Sequence, residues 1–350
     1  MNPLRIALVA PVATSVPPVR SGSIETVTAL LSDGLVAHGH DVTLFATAQS
    51  VTNAKLHVSF PRGYGDDSSI WPWELCELFN LAAAVERASD FDVIHCQAEY
   101  APMSLSFSRV SPVPLVQTVH YLPALEEVKL WSRYPNAPFI AVSHEQTQQL
   151  TGLNVIATIP HAVDTAKFLY QGTPDDYLLF LGRFMKRKGV LESIEVAKRT
   201  GMRLMLAAAA NDYYRDVVAP LVDQKQIVYV GEVDQAAKID LLRGARALLY
   251  PVQTGEPFGL VLAEAMVCGT PVAALDQGAV HEVVDNGVTG MIFQSLDELV
   301  NELGQVLALD RLTVSRQACE RFNIDNMVKA HIDAYSQLRK VTIAHNEIRD

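Results

Sequence analysis

The segment Glu256-Pro-Phe-Gly-Leu-Val-Leu-Ala-Glu264 carries two carboxylates with seven residues between them. Glu256 follows Tyr250-Pro-Val-Gln-Thr-Gly255, which reads as the exit loop of a buried strand, and Glu264 falls inside the helical run Leu260–Met266. At about 3.6 residues per turn, the spacing predicts that both acids face one side of the same helix start. A helix start offers free backbone N–H groups and partial positive charge, which suit an anionic ligand. Two carboxylates beside such a site would accept hydrogen bonds from the hydroxyls of a sugar phosphate. The competing reading is an acid that stabilises its own helix, with Glu264 on a solvated face.

Other residues offer complementary chemistry. Leu181-Gly-Arg183 follows a strand pattern and Lys188-Gly189 precedes a helical one. Arg183 can grip a phosphate with a fork of N–H groups, and Lys188 adds a compact positive charge. The loop Ala10–Ser23 ends in Gly22, which allows close backbone approach, and Ser23, expected to cap the following helix. An ordinary βα turn would explain that loop equally well. His120 closes the strand-like Val116-Gln-Thr-Val-His, and His95 closes Asp92-Val-Ile-His; a histidine at such a strand end is either a site residue or a structural one. Trp71 and Trp73 would either stack on an acceptor ring or pack as a lid or core. Ser143-His144-Glu145 is no catalytic triad, because its members are chain neighbours and no GxSxG elbow occurs.

Alternating strand and helix patterns must position these groups. Short β-branched runs at Arg5–Ala10, Asp41–Ala46, Asp92–Cys96, Pro114–Val119 and Phe139–Val142 alternate with helical periodicity, as in a parallel α/β sheet. A second series runs through Tyr177–Leu181, Arg203–Ala208, Ile227–Val230, Ala247–Tyr250 and Pro271–Ala274. The polar stretch around Gln171-Gly-Thr-Pro-Asp-Asp176 marks the link between them. The expected organisation is two Rossmann-like, doubly wound domains facing a cleft: residues 1–168 and 169–324, with a last helix at about 325–345 returning to the first domain.

Composition narrows the function classes. The 350 residues are 49% hydrophobic and 19% charged, which fits globular cores and little disorder. The net charge of −11 argues against nucleic acid as a partner. Residues 1–165 carry 8 Lys/Arg against 15 Asp/Glu, a balance of −7 that an anionic membrane would repel. No apolar run reaches the length of a span, and no signal peptide is expected. The four cysteines lack metal-ligand spacing, so a cytoplasmic chain with reduced thiols and no metal is expected.

The ordered set of motifs resembles the family 4 retaining glycosyltransferases of GT-B fold. Glu256-Pro-Phe-Gly-Leu-Val-Leu-Ala-Glu264 is similar to the family's E-x7-E signature. Arg183 and Lys188 match its Gly-Arg…Lys-Gly phosphate motif. Gly278-Ala-Val-His-Glu-Val-Val-Asp-Asn-Gly287-Val-Thr-Gly290 is similar to its glycine-rich segment. The resemblance covers nearly the whole chain. It implies transfer of a sugar, with retention, from a nucleoside diphosphate sugar (UDP ahead of GDP) to a hydroxyl of a small or soluble acceptor. Glu264 would hold the ribose. Glu256 and the backbone of Phe258, Gly259 and Leu260 would hold sugar and phosphate. Arg183 and Lys188 would neutralise the leaving diphosphate, which Gly22 and Ser23 would also approach. Val230, Glu232 and Val233 would contact the base, and His120 would sit near the sugar. The chain departs from the pattern at Gly22-Ser23, where the family has a glycine pair, and at His161-Ala162, where Asn-Gly is common. Neither change removes a phosphate-binding group. No metal or other cofactor is expected. A nucleotide-sugar epimerase of the same fold and a non-catalytic nucleotide-sugar sensor are the alternatives.

Overall fold

A computed structural model describes residues 3–67, 69–70, 72–98 and 102–347, with side chains to 340; Trp71 lies outside the described residues. The chain forms two compact units, residues 1–162 with 324–350, and residues 163–323.

The first unit runs β1 (Arg5–Val9), α1 (Ser23–Ala37), β2 (Asp41–Thr47), β3 (Lys55–Phe60), α2 (Trp73–Glu86), β4 (Val93–Cys96), α3 (Pro102–Ser108), β5 (Leu115–Thr118), α4 (Leu125–Trp131), β6 (Pro138–Ala141), α5 (His144–Gln149) and β7 (Asn154–Thr158). Among the described residues these strands make a seven-stranded parallel sheet in the order β3-β2-β1-β4-β5-β6-β7. The central strands are buried on both faces, hence their continuous apolar runs. Phe45, Phe91, Leu81 and Ile94 fill one cluster, and Trp131, Phe139 and Val119 another.

The second unit runs β8 (Leu178–Leu181), α6 (Val190–Thr200), β9 (Leu204–Ala207), β10 (Ile227–Gly231), α7 (Gln235–Gly244), β11 (Ala247–Tyr250), α8 (Leu260–Val267), β12 (Val272–Leu275), α9 (Val280–Val283), β13 (Gly290–Phe293), α10 (Leu296–Leu307) and α11 (Arg311–Arg321). Its sheet repeats the winding as β10-β9-β8-β11-β12-β13, again parallel. In such an order the chain reverses direction beside the first strand, and the loops leaving the two flanking strands meet there. In the second unit those are the loops after β8 and β11. In the first they follow β1 and β4.

The last helix, α12 (Ile324–Glu347), packs in the first unit against α1. Gly34 makes the approach close, since a Cβ there would come within 2.5 Å of Val328 Cγ2. Tyr335 of α12 is fully buried, and Arg339 lies 3.8 Å from Asp92. The sequence places the domain junction after residue 168, whereas the units divide after Ala162. Residues 163–168 join the second unit because the Val163 amide donates to Phe322 O and Phe168 is buried.

All ten strands expected from the sequence occur, displaced by at most a residue or two at their ends. The sequence reading omits β3, β7 and β13, each at a sheet edge. An edge strand is covered less completely, so its apolar run is short and broken: β3 reads Lys-Leu-His-Val-Ser-Phe and is only partly buried.

Candidate active site

The chemistry of the second unit gathers at its switch point. After β8 the chain passes Gly182 and exposed Arg183, then turns through Lys186–Lys188 into α6. Gly189 makes that turn, with φ +77° and no room for a side chain, because a Cβ would strike Pro251 O at 2.0 Å. The loop after β11 is therefore packed directly on the basic turn, and the Gln253 amide donates to Arg187 O at 2.8 Å.

Glu256 lies in that second loop. Its Oε1 accepts from Lys188 Nζ at 2.8 Å and from Arg187 Nη1 at 3.4 Å. Both Lys188 and Glu256 side chains are largely buried, at 17% and 13% exposure. Burial pushes the Lys188 ammonium below its ordinary range; Glu256 opposes that, while Arg187 and Arg183 reinforce it. Two cations thus share one carboxylate, with Arg183 close enough to act on Lys188, leaving an excess of positive charge suited to an anion. Arg183 forms no hydrogen bond or ion pair among the described residues.

The glycine-rich segment supports the same point. Gly278 has φ +58°, and a Cβ there would lie 2.5 Å from the Glu256 nitrogen and 2.6 Å from its oxygen. The Ala279 amide donates to Glu256 O at 3.1 Å. Gly259 turns the chain into α8 with φ +86°, and Leu260 begins that helix. First-turn amides have no carbonyl partner within their own helix. Phe258 is buried edge-on against Phe322.

Glu256 and Glu264 do not share one helix face, as their spacing suggested. Glu256 precedes α8 in an irregular loop, so helical geometry does not govern its direction. Glu264 sits in α8, buried, and bonds a different cation, Lys238 Nζ of α7, at 2.6 Å. The solvated-face reading of Glu264 is excluded by that burial. Lys238 also lies 5.3 Å from the Phe168 ring centre. Sequence reasoning missed Lys238, because its partner is distant in the chain and no local spacing rule joins them. Its one sequence signal is its place on the helix that follows the Val230-Gly231-Glu232-Val233 turn. Val230 and Glu232 are exposed there, and Val233 is half-buried.

In the first unit, Gly22 rather than Ser23 is the cap residue of α1, and no side chain caps the helix. Ser23 is already helical, and the Gly22 carbonyl accepts from Thr26 N at 3.0 Å and Thr26 Oγ1 at 2.7 Å. Buried Glu25 brings a carboxylate into the first turn.

His120 follows β5, half-buried, with Nε2 2.6 Å from Gln97 Oε1 and its ring stacked on His161 at 5.4 Å. Its Nδ1 is buried and bonds no described residue. Burial, then His161 and His331, hold its pKa well below the ordinary histidine value. His95, by contrast, is structural: it is fully buried, with Nδ1 2.6 Å from Tyr335 Oη and Nε2 2.7 Å from Thr118 Oγ1. Ser143 caps α5, accepting from Gln146 N, and Trp73 packs 6.2 Å from the Tyr64 ring. Among the described residues, no three His, Cys, Asp or Glu side chains are grouped to hold a metal ion, and no helix is long and apolar enough to cross a membrane.

Comparison with known proteins agrees with this arrangement. Residues 24–167 match the family described as Glycosyltransferase Family 4, and residues 167–322 match Glycosyl transferases group 1. The chain is 25% identical over 329 residues to a glycogen synthase of Mycobacterium tuberculosis, covering 79% of each. It is 27% identical over 322 residues to a phosphatidyl-myo-inositol mannosyltransferase of Mycolicibacterium smegmatis, covering 83% of this chain and 80% of that one. Among solved structures, AviGT4, a glycosyltransferase involved in avilamycin A biosynthesis, superimposes with a TM-score of 0.75 at 26% identity. That match covers 97% of this chain and 98% of the other. With both sheets wound alike and each half matched in chain order, the protein belongs to the family 4 glycosyltransferases of GT-B fold.

Proposed function

We propose that this glycosyltransferase moves a hexose from a nucleoside diphosphate sugar to a hydroxyl of a soluble acceptor, with retention at the anomeric carbon and without a metal ion. The observation that carries the reading is the excess of cations at one carboxylate: Lys188 and Arg187 paired to Glu256, with Arg183 near enough to repel Lys188. In the reaction the bond from the anomeric carbon to the diphosphate breaks, and its electron pair leaves on the phosphate oxygen. Arg183 and Lys188 stabilise that developing charge. The acceptor oxygen bonds the same face of the sugar, and its proton passes to the leaving phosphate. Glu256 holds the sugar hydroxyls and orients Lys188; it forms no covalent bond. Glu264, steadied by Lys238 on Oε1, accepts from the ribose through its other oxygen. The Val230–Val233 turn holds the base, and the Gly22-Ser23 backbone approaches the diphosphate.

A UDP-sugar is favoured over a GDP-sugar. A structure of similar fold, Anabaena Alr3699/HepE, is described in complex with UDP and glucose. The acidic first half of the chain supports a soluble acceptor, and binding to anionic vesicles would overturn this; the four cysteines, without ligand or framework spacing, support a cytoplasmic setting. Transfer that survives EDTA is expected. Glu256→Ala and Arg183→Ala should each cut turnover at least 100-fold, by analogy with loss of one charge-stabilising group, with both proteins folded and little change in melting temperature for Arg183→Ala, whose side chain is exposed. Unchanged rates in both variants would refute the assignment. Incubation with the donor alone separates the epimerase alternative, which would yield a second nucleotide sugar without an acceptor.

A further inference from the structure

Gln97 follows β4, and His120 follows the neighbouring strand β5 by one residue more. Gln97 is 1% exposed, and its backbone amide donates to Val9 O at 2.8 Å, so its position is fixed from both ends. Its side-chain amide spans two histidines. The Gln97 Nε2 group lies 3.1 Å from His95 Nε2, while its Oε1 lies 2.6 Å from His120 Nε2. His95 is itself held by Tyr335 Oη from α12 and by Thr118 Oγ1. A continuous chain of polar contacts therefore runs from α12 through His95 and Gln97 to His120.

An amide carbonyl can only accept a hydrogen bond. At 2.6 Å from Gln97 Oε1, His120 Nε2 must carry the proton. A neutral imidazole has one N–H, so Nδ1 is left with a lone pair, and Nδ1 is the atom that bonds no described residue. A buried polar atom without a partner costs about 1–3 kcal/mol, so an otherwise satisfied network is holding one acceptor open.

We propose that Gln97 is a positioning residue for glycosyl transfer: it fixes His120 as the neutral Nε2–H tautomer, so that Nδ1 accepts a hydrogen bond from a hydroxyl of the bound sugar or acceptor. The assignment of that hydroxyl rests on the function proposed above; the tautomer does not. The surroundings keep the ring neutral. Burial foremost, then the stacked His161 and His331 of α12, oppose a charge on it. A hydroxyl approaching Nδ1 would find an acceptor where the other tautomer would present a donor.

The test uses the full chain with 15N-labelled histidine. Long-range 1H–15N spectra at pH 7.5, assigned with His120→Asn, distinguish the two neutral tautomers and the imidazolium. The wild type should show the Nε2–H form for His120, a result independent of any transferase assay. Gln97→Glu, nearly isosteric, should raise the His120 titration point by at least one pH unit and move the acid limb of kcat/KM with it. Gln97→Leu should mix the tautomers and lower kcat about 10- to 100-fold, while donor Kd stays within about twofold. An Nδ1–H tautomer in the wild type would overturn the proposal, as would a folded Gln97→Glu protein with unmoved titration. Loss of transferase activity from every preparation, with the Nε2–H tautomer present, would refute the proposed function, and with it the hydroxyl contact, while leaving the tautomer set by Gln97 intact.

Discussion

Acid should weaken the first unit through its buried histidines, and His331 gives the cleanest measure. Its ring lies on α12 at 4% exposure, 5.4 Å from His95, and Nδ1 donates to Met327 O at 2.8 Å. Burial pushes its pKa down from 6.5 to about 4. The unfolded chain binds a proton near 6.5 and the folded chain does not, so stability from this group is whole above that pH and falls as pH drops toward 4. At pH 5 the loss covers about 1.5 pH units at about 1.36 kcal/mol each, or about 2 kcal/mol. His161, pushed down to about 3 by burial and by His331, adds a similar loss at the same pH. His95 and His120 act in the same direction. His331→Gln keeps an N–H for Met327 O but cannot titrate. The three tryptophans, at 71, 73 and 131, all belong to the first unit, so urea unfolding followed by tryptophan fluorescence reports that unit alone. Between pH 7.5 and pH 5 the variant should lose about 2 kcal/mol less stability than the wild type. The same loss in both proteins would refute the assignment of His331 as a buried neutral group.

Lys238→Met should leave the Glu264 carboxylate buried without its cation and cost about 3 kcal/mol in urea unfolding of the second unit, most of it recovered in Lys238→Met/Glu264→Leu. A single variant as stable as the wild type would show that the pair is solvated after all. Gly278→Ala should displace Glu256, because the new Cβ meets backbone at 2.5–2.6 Å and no side chain can move aside. We expect at least a tenfold fall in kcat/KM for transfer, and normal kinetics would refute the close packing of the two loops on which the site depends.

Much of the fold was legible in the chain. Central strands such as Ile6–Val9 and Ala247–Tyr250 are buried on both faces, and that burial demands the continuous apolar runs by which they are read. The edge strands β3, β7 and β13 lack that demand and leave little trace. Basic and acidic motifs were legible too, because Arg183, Lys188, Glu256 and the Gly278 segment are each bound to a strand exit by local sequence. Ser23 illustrates a limit: a serine at a helix start suggests a cap, yet the extended Gly22 took that position.

The sequence by itself determined two parallel α/β units, the family to which they belong, and which residue types stand where charged chemistry is done. Only the tertiary structure decided the pairing. Eight-residue spacing put Glu256 and Glu264 on one face, but an irregular loop before α8 sent each to its own lysine. The partnerships of Lys238 with Glu264, and of Gln97 with His120, join residues on elements that only the fold brings side by side. Local sequence sets the direction of a strand or helix through short-range sterics and burial. The partner of a buried polar group is set by which elements the winding of the sheet brings side by side.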